Sequence, residues 1–120
     1  KDNLKGIDLC NAKLMGAKLD GADLSQADLS SAYLIKADLS KASLVGADLT
    51  GAILSEANLS YVNLEGAELM DTYLHGANLK GAIHLTCDQL ELANFDKHTI
   101  FPDYIDINWT EDGCCECQDK

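Results

Sequence analysis

Leucine stands at every fifth position from Leu4 to Leu79, sixteen times without a miss. The stretch "GADLSQADLSSAYLIKADLS" (residues 21–40) shows the pattern plainly, with Leu24, Leu29, Leu34 and Leu39 each two residues after an alanine. Neither common element buries a period of five. Five steps of an α-helix carry successive leucines roughly 140° around the axis, so no single apolar stripe forms. On a strand, side chains alternate, and a period of five sends successive leucines to opposite faces. A straight element cannot hold these leucines on one side, so the chain must bend once per repeat. Alanine keeps the same period: of the fifteen positions from 12 to 82 in steps of five, thirteen are Ala, the exceptions being Val62 and Thr72.

Alanine and leucine two apart point the same way on a short extended segment, and the residue between them points out. That places Asp8, Asp23, Asp28, Asp38 and Asp48 on the outside. The two residues after each leucine turn a corner, which a glycine such as Gly16 or Gly21 eases. Repeated, the unit winds a coil with Leu and Ala inside, and stacked coils pair their backbones about 4.8 Å apart. Burying a leucine contributes roughly 1.5–3 kcal/mol, so the series supplies ample drive against the entropy of ordering the chain. The pattern alone leaves the number of bends per coil open.

The A-[D/N]-L-x-x pattern over residues 2–83 resembles the pentapeptide-repeat family; "GADLSQADLS" and "GANLKGA" are similar to segments of almost any member. The resemblance implies an all-β solenoid, a right-handed quadrilateral parallel β-helix with four pentapeptides per coil. Sixteen pentapeptides then make about four coils, a stack of about 19 Å at strand spacing. It also implies a scaffold for protein contacts rather than an enzyme.

The repeat fails after Ala82, where His84 replaces the expected leucine. This divides the chain into a repeat region, 1–83, and a C-terminal segment, 84–120, within one domain overall. "TCDQLELANF" (residues 86–95) reads as a short helix, with Thr86 as N-cap, Gln89 completing a capping box, and Leu90 and Ala93 on one face. "FDKHTIFPDYIDINWT" reads as extended, since Pro102 excludes a helix interior. A solenoid needs a cover over its open end. The helix with Phe95, Ile100, Phe101 and Trp109 suits that task, and similar caps occur in cyanobacterial members of the family. The N-terminus shows no equivalent, so self-association through an uncapped N-terminal coil is an expectation.

With four repeats per coil, positions twenty apart share a face. Asp8, Asp28, Asp48 and Glu68 form a candidate acidic face. Met15, Tyr33, Ile35, Ile53 and Tyr73 form a candidate partner face, because aromatic clusters mark interface hot spots. The competing readings are a solvated face for the acids and stabilising side-chain ladders for the aromatics. The net charge of −11, with nine lysines and no arginine, argues against nucleic acid as a partner. No apolar run approaches the roughly 18 residues of a membrane-spanning helix, and no signal peptide is present. Because the chain starts inside a repeat, a removed targeting segment remains compatible.

Five cysteines stand apart from the repeat. Cys10 follows Leu9 near a corner. Cys87 falls on the expected helix, and Cys114, Cys115 and Cys117 crowd the acidic tail "EDGCCECQDK". C-C-x-C lacks the paired arms of a structural zinc site. A disulfide from Cys87 to Cys114, Cys115 or Cys117 would staple the tail over the cap; the alternative is free thiols in a loose terminus. Such cysteine usage favours an oxidising space, a periplasm or thylakoid lumen, over a cytoplasm.

No catalytic constellation, cofactor site or metal site emerges. His75, His84 and His98 lack a nucleophile partner in the pattern, and the acidic pairs sit on a convex exterior. The expected function is a non-enzymatic scaffold for an unidentified protein partner. The runner-up, implied by gyrase-protecting members of the family, is a DNA-mimicking inhibitor or protector of a type II topoisomerase.

Overall fold

The computed structural model describes residues 2–111 and 115–119. From Asn3 to Asn63 the residue before each Leu forms a parallel bridge with the residue twenty further on, beginning with Asn3↔Asp23, Asp8↔Asp28, Lys13↔Tyr33 and Lys18↔Asp38. Twenty residues per coil means four pentapeptides per coil, the number that the periodicity left open. After each leucine the chain turns, and the leucine carbonyl accepts the N–H of the third residue on, from Ile7 N to Leu4 O through Ala82 N to Leu79 O. The second residue after each leucine has φ between 56° and 71°, the requirement of a type II turn. Glycine occupies half of these corners; Asn11, Lys36, Lys41, Tyr61 and others take the left-handed conformation despite their side chains, each at a cost of roughly 1–2 kcal/mol. Ladder and turn bonds on both sides hold them there.

The interior is a stack of leucines and alanines. From Leu24 to Leu79 every leucine of the series is at most 2% exposed. Leu4, Leu9, Leu14 and Leu19 in the first coil are only partly buried, having neighbours on one side alone. Thr72, at an alanine position, is fully buried, and its hydroxyl donates to the Leu49 carbonyl one coil below at 2.6 Å. That bond removes the penalty of an unpaired buried hydroxyl.

The repeat ends through a one-residue slip. His84 takes φ +62° and points out, and Leu85 goes inside in its place. Helix α1 (Cys87–Glu91) follows, with the capping box between Thr86 and Gln89. It is five residues long, shorter than the expected 86–95. The reason is the ladder: Asn94 N donates to Thr72 O and Leu74 N donates to Asn94 O, so the backbone turns extended to pair with the coil beneath. Ala93 accordingly leaves the helix, while Leu90 stays buried. Ile100 pairs with Asn78 in the same way. Bridged residues point outward, so Ile100 is half-exposed and does not cover the end, contrary to expectation.

Little of the covering segment is helix, and side chains complete its backbone pairing. The Gln89 amide donates to Leu64 O and Ala67 O, the Thr99 hydroxyl to Leu74 O, and the Tyr104 hydroxyl to Ala82 O. Phe95 meets Phe101 and Trp109 edge-on at 5.1 and 5.9 Å between centroids. Strands β1 (Ile105–Trp109) and β2 (Cys115–Asp119) form an antiparallel hairpin with Ile107 opposite Cys117 and Trp109 opposite Cys115. Cys87 is bonded to Cys117, thirty residues away. Of the other two expected partners, Cys115 lies two residues before Cys117 on β2, and Cys114 lies outside the described residues.

Candidate functional site

The bridges assign one column of outward residues to each side of the coil. One side carries Asp8, Asp28, Asp48 and Glu68 in unbroken succession. The next carries Lys13, Tyr33, Ile53, Tyr73 and then Asn94. Beside that column run Met15 and Ile35, linked through Gly16 N to Ile35 O, and His75, whose ring stacks on Tyr73 at 6.1 Å. Met15 is 57% exposed, Tyr33 40% and Tyr73 41%, and Ile35 and Ile53 are partly exposed between them. Parallel in-register pairing therefore gathers five residues scattered over nearly sixty positions into one strip of large side chains.

The acidic column has a second role that the charge pattern concealed. In the repeat 47–51, Ala47 N donates to Leu44 O, Asp48 N to Ala27 O, Leu49 N to Glu68 O, and Gly51 N to Met70 O. The fifth amide, Thr50 N, has no carbonyl opposite, and the Asp48 carboxylate accepts it at 3.0 Å. Asp8, Asp23, Asp28 and Asp38 do the same for the residue two places on, as do Asn3, Asn58, Asn63 and Asn78. The preference for Asp or Asn before each Leu thus follows from the one backbone donor per repeat that the ladder leaves over. The Asp/Asn alternation in the repeat was the signal for it. Asn58→Ala, which strands the amide of Ser60 beside its hydroxyl, should cost about 0.5–1.5 kcal/mol, and Asn58→Asp should restore most of it in denaturant melts.

These bonds also set the protonation of the exposed carboxylates. The hydroxyl and then the backbone N–H of Ser25 hold Asp23 below the ordinary carboxylate value, and those of Ser30 do so for Asp28. At Asp96 burial pushes the pKa up, but the N–H groups of Gly76 and His98 and the Thr99 hydroxyl outweigh it and the net shift is downward. A depressed folded pKa contributes stability that is present above the unfolded value and lost as pH falls through the folded one. Thermal melts should therefore fall off only below the unfolded carboxylate value of about 3.9, and Asp28→Asn should flatten that dependence.

A concavity of about 520 Å³ lies between the fourth coil and α1 and is lined by Glu65, Glu68, His84, Thr86, Asp88 and Gln89. Among the described residues, no three His, Cys, Asp or Glu side chains are placed to hold a metal ion. No helix among them is long and apolar enough to cross a membrane. Cys10 is exposed, and its sulfur accepts from Asn11 Nδ2 and Ser30 Oγ.

Comparison with known proteins agrees with this geometry. A family model for pentapeptide repeats matches in eight copies over residues 3–30, 27–66 and 54–83. Rfr23, a pentapeptide repeat protein from the cyanobacterium Cyanothece 51142, is 39% identical over 78% of this chain, with a TM-score of 0.71. The chain spans 63% of the length of Rfr23. Two structures of QnrB1, a plasmid-mediated fluoroquinolone resistance protein, align at TM-scores of 0.56 and 0.59 with 20% and 19% identity. They cover 80% and 85% of this chain and 61% and 59% of QnrB1, and they show the fold alone. A comparison with curated proteins returns no match. These relatives imply a right-handed winding for the four-sided coil. With the twenty-residue bridge spacing, the repeat motif and Rfr23 in agreement, the chain belongs to the pentapeptide-repeat family.

Proposed function

We propose that this chain is a non-enzymatic scaffold that binds a protein partner through the strip of Met15, Tyr33, Ile35, Ile53 and Tyr73. The observation that carries the reading is the column Tyr33–Ile53–Tyr73, which repeats large side chains where the three other sides carry small or polar ones until Ile83 and Ile100 at the ends of two of them. Amphipathic tyrosines anchor interfaces at low entropic cost. Residues 84–119 serve as the cap that keeps the rod soluble at that end, and no cofactor takes part. The test is the pair Tyr33→Asp and Tyr73→Asp, which leaves the interior untouched. Cross-linking in a host extract should capture a partner with the native chain and lose it with the pair, while the circular dichroism stays unchanged. Retention of the same partner would reduce the strip to a stabilising ladder.

A second reading, protection or inhibition of a type II topoisomerase by charge mimicry, draws support from the acidic column. Asn58, Asn63 and Asn78 make the same bond to the backbone without charge. Folding alone therefore does not demand Asp at 8, 28 and 48 and Glu at 68. Asp28→Asn with Asp48→Asn keeps the bond and removes the charge. A supercoiling assay in which the native chain acts and this pair does not would favour charge mimicry. Inactivity of both would exclude it. We also propose an oxidising compartment, a periplasm or thylakoid lumen, supported by the Cys87–Cys117 bond. Alkylation and intact mass of the protein from its native source decide this, and a fully reduced chain refutes it.

A further inference from the structure

One side of the coil finishes its backbone differently from the other three. In the second to fourth coils, the amide after each leucine is usually taken by the Asp or Asn before that leucine, as at Ser30, Ser40, Thr50, Ser60 and Lys80. On three sides the acceptor is missing only singly among the described residues, at Val45 after Ser43 and at Met70 after Glu68. On the strip side it is missing throughout. There the amides of Tyr33, Leu34 and Lys36 donate to Ala12 O, Ile53 O and Ser55 O, and those of Ile53, Leu54 and Glu56 donate to Ala32 O, Tyr73 O and His75 O. Tyr33, Ile53 and Tyr73 stand where Asp or Asn would accept, so the amides of Ile35, Ser55 and His75 have no acceptor among the described residues. On the neighbouring side the same amide is met by an outward carboxylate, so these three N–H groups also face out. They form a row of donors at a pitch of about 4.8 Å, beside tyrosines that are 40% and 41% exposed.

We propose that the strip takes a proline-rich segment in the polyproline II conformation, lying along the rod with a Lys or Arg beside the acidic column. The inference rests on the reading of the strip as the partner site and names the class of partner. Donors without acceptors call for a ligand that has acceptors without donors. Proline supplies that, because it keeps its carbonyl and lacks the N–H, and polyproline II leaves its carbonyls without internal bonds. Spacing decides among backbone conformations. Polyproline II repeats every three residues, about 9.3 Å. Tyr33 to Tyr73, and Ile35 to His75, each span two coils, about 9.6 Å. A ring and a donor therefore meet a proline and a carbonyl at both ends of one turn, and proline-rich segments dock on aromatic-lined surfaces in this way. An extended strand repeats at roughly 6.6–6.8 Å and is out of step by the second contact. An α-helix commits its carbonyls to its own N–H groups and leaves the donor row unanswered. Charge selects the flank. Asp28, Asp48 and Glu68 line the adjoining side and Asp71 the corner between, whereas Lys36 and Glu56 offset each other at the opposite corner.

An amide-resolved NMR titration of the 120-residue chain tests this, with a blocked oligoproline of about nine residues ending in two arginines as the probe. Shifts should centre on Ile35, Ser55 and His75. A flexible Gly-Ser peptide with the same arginines should bind at least about tenfold more weakly, because it must be ordered on binding. Two variants separate ring from donor. Tyr33→Leu removes the ring and leaves the Ile35 amide open. Tyr33→Asn also supplies the acceptor that Asn58 gives to Ser60. Tyr33→Leu should weaken binding about fivefold, and Tyr33→Asn about fivefold more, while melting no lower. Equal losses for the two variants would overturn the proposal, as would equal affinity for the two peptides or shifts centred on another side. A protein partner lost by the pair Tyr33→Asp and Tyr73→Asp, yet not displaced by the oligoproline, would overturn this inference and leave the strip as the partner site. A partner retained by that pair would overturn both.

Discussion

Leu44→Ala should destabilise the chain by about 2–5 kcal/mol, the cost of a cavity in a core that relaxes only in part. Leu44 is fully buried, with Leu24 one coil below and Leu64 one coil above at the same place in the repeat. Collapse around the gap is restrained because the backbone on both sides is fixed by ladder bonds, Leu24 N to Ser43 O and Leu44 N to Asn63 O. The neighbouring Ser43 points outward, and its hydroxyl pairs with that of Ser25 at 2.7 Å. Ser43→Ala should then cost no more than about 1 kcal/mol. Denaturant melts giving equal losses for the two would refute the division into inside and outside. Leu9→Ala, in the partly exposed first coil, should fall between them.

Loss of the Cys87–Cys117 bond is the second large effect. The bond closes a loop of thirty residues, worth roughly 3–4 kcal/mol in the chain-entropy model. Cys117→Ser is the cleaner variant, because Cys87 is buried and a serine there would also strand a hydroxyl. The loss should be local. Each coil of a solenoid is stabilised by its immediate neighbours, so amide exchange should rise in β1, β2 and α1 while the second and third coils keep their protection. Opening that spread evenly over the chain would show that cap and coils unfold as one unit. An unchanged melting profile would show that the hairpin is held by Ile105, Ile107 and Trp109 alone.

The coil was legible because its signal is redundant. Sixteen leucines and thirteen alanines repeat one instruction, and a single miss such as Thr72 is absorbed by one hydrogen bond. The four-fold count was not legible from periodicity, because a corner's angle depends on backbone torsions that Gly and Lys share at equivalent sites, as at Gly46 and Lys41. The cap was read only in part. Its capping box is a local motif and was found, but the helix stops early because Asn94 is claimed by a strand seventy-odd angstroms of extended chain away, at Tyr73. Long-range competition of that kind leaves no local trace. The role of Gln89 toward Leu64 and Ala67, and the choice of Cys117, likewise depend on where a hairpin lands rather than on spacing. The strip of Tyr33, Ile53 and Tyr73 needed the family's twenty-residue coil to be seen at all.

The corner after each leucine comes every five residues, whereas a side recurs only every twenty. A pentapeptide inserted or deleted between Ile53 and Glu68 would therefore be silent to the interior, which meets the same Ala and Leu at the next corner. Outside, every residue downstream would move round by a quarter turn. Tyr73 would leave Tyr33 and Ile53 and join a polar side, and Glu68 would part from Asp48. Lineages of such rods can thus drift in length by fives while keeping their stability, but recognition is inherited only in steps of a whole coil.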